Sequence, residues 1–150
     1  MAHTIIETCT GCTACARKCP VSAIKGKRKM QHSIDPQLCI DCGVCGKICP
    51  SQAVLDEKGD LAQPVKPSLW PKPVWNYRAC VECRICEQVC PTGSISLVRY
   101  HVNPDGLKPS HPFLYSSSTC IGCGFCERSC PTSAIRMQVP QKAGEPVKHP

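Results

Sequence analysis

The chain has 150 residues, of which 16 are cysteine, 15 are proline and only 5% are aromatic, too thin an apolar supply for a sizeable core without a staple. Its start, MAHTIIETC, lacks the basic and apolar regions of a leader, and no window approaches the run of about 18 apolar residues that a membrane span requires. A cytoplasmic location is expected, where clustered thiols bind metal rather than pair as disulfides, and the formal charge of +7 treats every cysteine as neutral, so it does not by itself point to nucleic acid.

A β-prone segment, HTIIE at 3–7, leads into CTGCTACARKCP at 9–20, which carries Cys9, Cys12, Cys15 and Cys19. The tail PVSAI follows, then a basic run of Lys25, Lys27, Arg28 and Lys29 around Gly26. That run reads as a solvated turn between strands, with a docking patch for an acidic partner as the sharper alternative. HSID at 32–35 precedes the second run, CIDCGVCGKICP at 39–50, with Cys39, Cys42, Cys45, Cys49 and the tail PSQAV. Residues 62–74, AQPVKPSLWPKPV, hold four prolines and read as an extended, semi-rigid strap; Trp70 and Trp75 are expected to pack against a neighbouring half.

VWNY at 74–77 precedes CVECRICEQVCP at 80–91, with Cys80, Cys83, Cys86 and Cys90, the tail PTGSI and a strand in ISLVRYHV at 95–102. PFLYS at 112–116 precedes CIGCGFCERSCP at 120–131, with Cys120, Cys123, Cys126 and Cys130, the tail PTSAI and the strand IRMQV at 135–139. The polar end, PQKAGEPVKHP at 140–150, is flexible or ordered by a partner. The repeating unit is thus strand, cysteine loop, one or two helical turns, strand.

In a C-x-x-C-x-x-C loop the chain curls about one centre, so three sulfurs reach three corners of a single cube. The fourth cysteine lies beyond that curl, at the start of the expected helical turn, where a following proline has no N–H to waste. Paired C-x-x-C elements also form tetrahedral zinc sites. Zinc has no use for a third cysteine at the next step, four times over with proline behind the fourth, so iron–sulfur is the stronger reading. Bacterial ferredoxin runs have this form, and their fourth cysteine ligates the other cluster of a pair.

Each half therefore resembles a bacterial two-cluster ferredoxin, and residues 3–139 together resemble a polyferredoxin-type electron-transfer subunit. The resemblance implies an α+β fold of two tandem ferredoxin-like domains, each pseudo-two-fold around two clusters, joined by the proline-rich linker. The domains fall at 1–61 and 75–139, with the linker at 62–74, an insertion near 99–118 and the tail at 140–150. Four [4Fe–4S] clusters are implied. Carried over, the first takes Cys9, Cys12, Cys15 and Cys49, and the second Cys39, Cys42, Cys45 and Cys19. The third takes Cys80, Cys83, Cys86 and Cys130, and the fourth Cys120, Cys123, Cys126 and Cys90. A nested arrangement, pairing the middle two runs and the outer two, is open beside this sequential one, which the strap favours. Four oxidised clusters at about −2 each more than offset the formal +7.

Glycines Gly11, Gly43, Gly122 and Gly124 let backbone N–H groups approach sulfur, which favours the reduced state. The third run carries Glu82 and Arg84 instead, and their opposite charges are expected to offset one another. His3, His32, His101, His111 and His149 lie outside the runs, and no role is expected of them. No catalytic triad, phosphate loop or dinucleotide pattern appears, so no catalytic residue is expected.

The resemblance implies an electron conduit rather than an enzyme, most simply the electron-transfer subunit of a multi-subunit oxidoreductase. Its partners would be a catalytic subunit and a subunit that accepts or donates electrons. Tungsten or molybdenum aldehyde oxidoreductases, hydrogenases and formate dehydrogenases house such subunits, and the tungsten aldehyde-oxidoreductase type is preferred here. The alternatives are a freely diffusing polyferredoxin and, from another class, a zinc-stapled interaction module without a redox role. Neither nucleic acid nor membrane insertion is expected, and a two-ended conductor can also stack head to tail.

Overall fold

Strands of two to four residues and helices of a single turn make up the chain, and none of them could persist alone. The computed structural model describes residues 2–97 and 111–140. Most of the expected insertion, the end of the ISLVRYHV strand, His101, His149 and the tail from 141 lie outside the described residues. The chain divides into two compact units, Met1–Pro67 and Ser68–Pro150.

In the first unit the order is β1 (Thr4–Ile5), α1 (Ala14–Lys18), β2 (Ile24–Lys25), β3 (Ser33–Ile34), α2 (Val44–Ile48) and β4 (Val54–Leu55). Strand β1, which opens the first repeat, pairs antiparallel with β4, which closes the second, through Thr4 opposite Leu55 and Ile5 opposite Val54. Strands β2 and β3 pair through Ile24 opposite Ile34 and Lys25 opposite Ser33. Helix α1 packs on α2.

The second unit repeats the plan with β5 (Lys72–Trp75), α3 (Ile85–Gln88), β6 (Ile95–Leu97), β7 (Pro112–Leu114), α4 (Phe125–Arg128) and β8 (Ile135–Gln138). Strand β5 pairs antiparallel with β8 from Lys72 opposite Gln138 to Trp75 opposite Ile135, and β6 pairs with β7. Both two-stranded ribbons tolerate proline, at Pro73 and Pro112, because every strand in them is an edge.

The cores are small and sulfur-rich. In the first unit Ile5, Ile24, Ala53 and Val54 surround Cys15, Cys45 and Cys49; in the second Trp75, Ile95 and Ile135 surround Cys86 and Cys126. At a transfer free energy of about 1.5–3 kcal/mol per buried large side chain, so few apolar residues leave either unit short of the ordering entropy.

Two expectations need correcting. The helical turn does not begin at the fourth cysteine. It ends there or just before: Cys19 and Cys49 are extended residues that cap α1 and α2, Val89 and Ser129 cap α3 and α4, and the third cysteine lies inside each helix. The proline that follows stops the helix rather than starting one. The strap is also shorter than 62–74. Ala62 packs on the first core and donates its N–H to the Val54 carbonyl, while residues 72–74 belong to β5. Between them Pro67–Leu69 forms a 3₁₀ turn, and Trp70 is buried. The basic run forms the exposed β2–β3 connection, with Lys25 3.7 Å from Asp35. Among the described residues no helix is long and apolar enough to cross a membrane.

Candidate metal centres

Each helix begins directly after a residue in the left-handed conformation: Thr13, Gly43, Arg84 and Gly124, with φ from +65° to +77°. That turn swings the third cysteine of each run back toward the first two. The strand pairing then brings the last cysteine of the neighbouring run to the same place.

Cys19, Cys39, Cys42 and Cys45 line one cavity with Ile24, Ile34 and Val44. Cys80, Cys83, Cys86 and Cys130 line another, walled by Trp75 and Ile135. Cys90, Cys120, Cys123 and Cys126 line a third. Each of these three cavities takes three cysteines of one run and the last of the other run in the same unit. Burial pushes the Cys15 thiol up, and the charges of Cys12, Cys9 and Cys49 push it further.

The chemistry of these sets calls for a cation. Burial, then Cys42, Cys39 and Cys15, push the Cys45 thiol up to about 12. Burial, then Cys123, Cys120 and Cys90, do the same to Cys126. Four thiolates in an apolar shell repel one another unless a positive core sits among them, and such a core binds as the protons leave. The last cysteine of each run is prepared differently. It accepts the backbone N–H four residues on, at 3.3 Å in all four cases: Ala23 to Cys19, Ala53 to Cys49, Ser94 to Cys90 and Ala134 to Cys130. At Cys90 and Cys130 burial works upward, but the hydroxyls of Thr92 and Thr132 and backbone N–H groups outweigh it and lower the thiol. Cys12 and Cys83 are exposed, so two of the four sets reach the surface through a ligand.

The left-handed glycines are not equivalent to one another. A Cβ on Gly11 would run into the backbone of Lys29 and Met30, whereas one on Gly93 would meet nothing, though both have φ near +60°. Gly93→Ala is therefore expected to cost about 1 kcal/mol, the strain of the left-handed backbone alone. Gly11→Ala should add about 1–3 kcal/mol of overpacking. Anaerobic thermal melts of the two variants as isolated separate the terms.

The histidines were undervalued by sequence. His3 is buried, lines the Cys39 cavity and lies 3.1 Å through Nδ1 from the Asp41 carboxylate. Burial works to raise that carboxyl, but the His3 hydrogen bond holds it below its ordinary value. His111 lies 3.5 Å through Nδ1 from the Glu82 carboxylate without a hydrogen bond between them, and its ring sits tilted at 4.8 Å from that of Tyr77. His32 is buried, with Nδ1 donating to the Met30 carbonyl at 3.0 Å. All three stand directly before a strand, in HTII, HSID and HPFL, and that placement was the available signal. The expected offset of Glu82 by Arg84 does not occur. Arg84 starts α3 and pairs with Glu87 at 3.0 Å, one helical turn on, while Glu82 faces His111.

Comparison with known proteins agrees with the chemistry. Residues 8–53 match the 4Fe-4S dicluster domain, and residues 73–96 and 114–136 match the 4Fe-4S binding domain. Ferredoxin-2 of Chlorobaculum tepidum is 46% identical over 41 residues, which are 27% of this chain and 64% of that protein. The chain thus matches just under two thirds of this relative's length. A chain of a formate dehydrogenase–heterodisulfide reductase–formylmethanofuran dehydrogenase complex from Methanospirillum hungatei is 21% identical, with a TM-score of 0.42 over 93% of this chain and 53% of that one. With a dicluster domain in its first unit and repeated 4Fe–4S binding domains in its second, the chain carries ferredoxin-type 4Fe–4S domains in both units, and its sixteen cysteines fit a duplicated bacterial ferredoxin with four clusters.

Proposed function

We propose that the protein is a four-cluster electron conduit whose two units are tandem two-cluster domains. Cys9, Cys12, Cys15 and Cys49 hold the first cluster, and Cys39, Cys42, Cys45 and Cys19 the second. Cys80, Cys83, Cys86 and Cys130 hold the third, and Cys120, Cys123, Cys126 and Cys90 the fourth. The observation that carries this reading is the grouping of thiols: three cavities are each lined by three cysteines of one run and the last of its neighbour.

Bound clusters would supply one-electron redox chemistry, and the protein supplies everything else. Its cysteines fix each position, and crossing the fourth ligand ties the two sites of a unit together. Apolar walls such as Val44, Ile34, Trp75 and Ile135 keep water off the sulfurs. Backbone N–H groups of Ala23, Ala53, Ser94 and Ala134 point at ligand sulfur and favour the more negative state. Exposed Cys12 and Cys83 give electrons a short way to a partner.

We infer that this partner is a fixed catalytic subunit of a tungsten- or molybdenum-dependent oxidoreductase, the aldehyde-oxidising type first, with an electron acceptor or donor at the other end. A free polyferredoxin and a head-to-tail assembly of this chain are the competing arrangements. Iron and acid-labile sulfide, measured on anaerobically purified native protein with its co-eluting polypeptides identified, test all of this. About sixteen of each per chain supports four cubanes. Zinc without iron overturns the conduit and leaves an interaction module. Full iron without a partner leaves a free carrier, and growth of particle size with concentration in anaerobic sizing marks self-assembly.

A further inference from the structure

The residue just before the second cysteine is equivalent in all four runs: Gly11, Asp41, Glu82 and Gly122. All four are left-handed, with φ of +65°, +52°, +56° and +62°. The glycines are pressed against backbone. A Cβ on Gly11 would meet Lys29 and Met30, and one on Gly122 would lie 2.8 Å from the Pro71 carbonyl oxygen. The other two positions carry a carboxylate instead, although a side chain with a Cβ is strained in this conformation by about 1 kcal/mol or more.

Each carboxylate faces a histidine from the same place in the fold. His3 stands before β1, the strand that opens the first run, and meets Asp41 in the second. His111 stands before β7, the strand that opens the fourth run, and meets Glu82 in the third. The Asp41 carboxylate is 3.8 Å from Cys39 Sγ, and Glu82 lines the cavity of Cys80, Cys83, Cys86 and Cys130. Arg84 lines the same cavity, but its guanidinium pairs with Glu87, so its charge is already matched there, and among the described residues no arginine or lysine pairs with Glu82. The same carboxylate–histidine juxtaposition recurs once per unit at the rim of a cysteine cavity.

Building on the cluster assignment above, we propose that the Asp41–His3 and Glu82–His111 pairs set the reduction potential of one cluster in each unit. The carboxylate lowers the potential of the second cluster and of the third, and the histidine beside it tempers its field. A fixed negative charge in the ligand loop opposes the one electron that reduction adds, and partial burial weakens the solvent screening. Gly11 and Gly122 leave the first and fourth clusters without this penalty. No proton is needed for the step: the reductant gives one electron and the cluster gains it.

The test is an anaerobic redox titration of the holoprotein with dithionite and mediators, followed by EPR and visible absorbance. Asp41→Asn and Glu82→Gln keep the side-chain size and remove the charge. Each is expected to raise one of four reduction waves by about tenfold in its equilibrium constant, 59 mV for one electron, and to leave the others in place. His3→Phe removes one of the groups that temper the Asp41 carboxylate, the amino terminus being another, and moves the same wave as Asp41→Asn, but downward. A merely structural pair would shift both variants the same way, and that result overturns the proposal. So do unmoved waves at full iron content in both Asp41→Asn and Glu82→Gln, with the four clusters left standing. Iron loss in Asp41→Asn is judged against Glu82→Gln in the other unit: a wave there that stays put at full loading overturns the proposal as well. Wild-type protein without cubane iron removes the cluster reading itself and this inference with it.

Discussion

Removing Cys12 and Cys49 together is expected to cost no more iron than removing either alone, about four atoms per chain, because the proposed assignment puts both on one cluster. Removing Cys42 and Cys49 together should cost about eight, because it puts them on two. The contrast runs against the linear sequence, in which Cys42 and Cys49 share a run and Cys12 belongs to another. It follows from where the thiols sit: Cys49 acts on Cys15 beside Cys9 and Cys12, while Cys42 shares a cavity with Cys19, Cys39 and Cys45. The second unit offers an independent copy. Cys83 with Cys130 should behave as one site, and Cys123 with Cys130 as two. Iron and sulfide counts on anaerobically isolated alanine variants give the answer, and the reverse pattern would remove the crossed assignment. If a single alanine variant instead loses eight irons, the two sites of a unit assemble only together.

Chelating the iron should abolish the fold altogether rather than merely silence it. Each core holds a handful of apolar side chains arranged around cysteines. Among the described residues the longest helix has five residues and the longest strand four. Elements this short do not nucleate in isolation, and a two-stranded ribbon is marginal by itself. Without a metal core the buried thiols must stay protonated or repel, as the upward push on Cys45 and Cys126 shows, and nothing else replaces the lost cross-links. Circular dichroism after anaerobic treatment with chelator should show loss of near-ultraviolet structure and of any cooperative thermal transition. Survival of a sharp transition in the iron-free chain would mean that packing suffices and that the metal is a passenger.

The cofactor was legible because ligand spacing is a local property. Three cysteines at x-x intervals with a fourth before proline leave few alternatives, and four copies leave fewer. The strand–loop–turn–strand unit was legible for the same reason, since HTIIE, HSID and PFLYS each hold a strand. Where the helical turn lies was misjudged. Proline suits either the first turn of a helix or the place just past its end, and here the left-handed residue two before the third cysteine, Thr13 in the first run, starts the helix early enough for Cys19 to end it.

Charge partners were less legible still. Glu82 and Arg84 are close in sequence, but adjacent turn residues point to different neighbours, and Arg84 finds Glu87 along its own helix. Glu82 meets a histidine 29 residues away, and Asp41 meets one 38 residues away. No local pattern announces such pairs.

The sequence by itself determined the kind of metal centre and the number of thiols available to it, because each run specifies its own curl. Only the tertiary structure decided which run lends its last cysteine to which site and which histidine stands over which carboxylate. Both depend on β1 pairing with β4 and β5 with β8, contacts between residues at opposite ends of a unit. Such long-range pairing is settled by how the whole unit packs around its sulfur core, and not by any stretch short enough to be read alone.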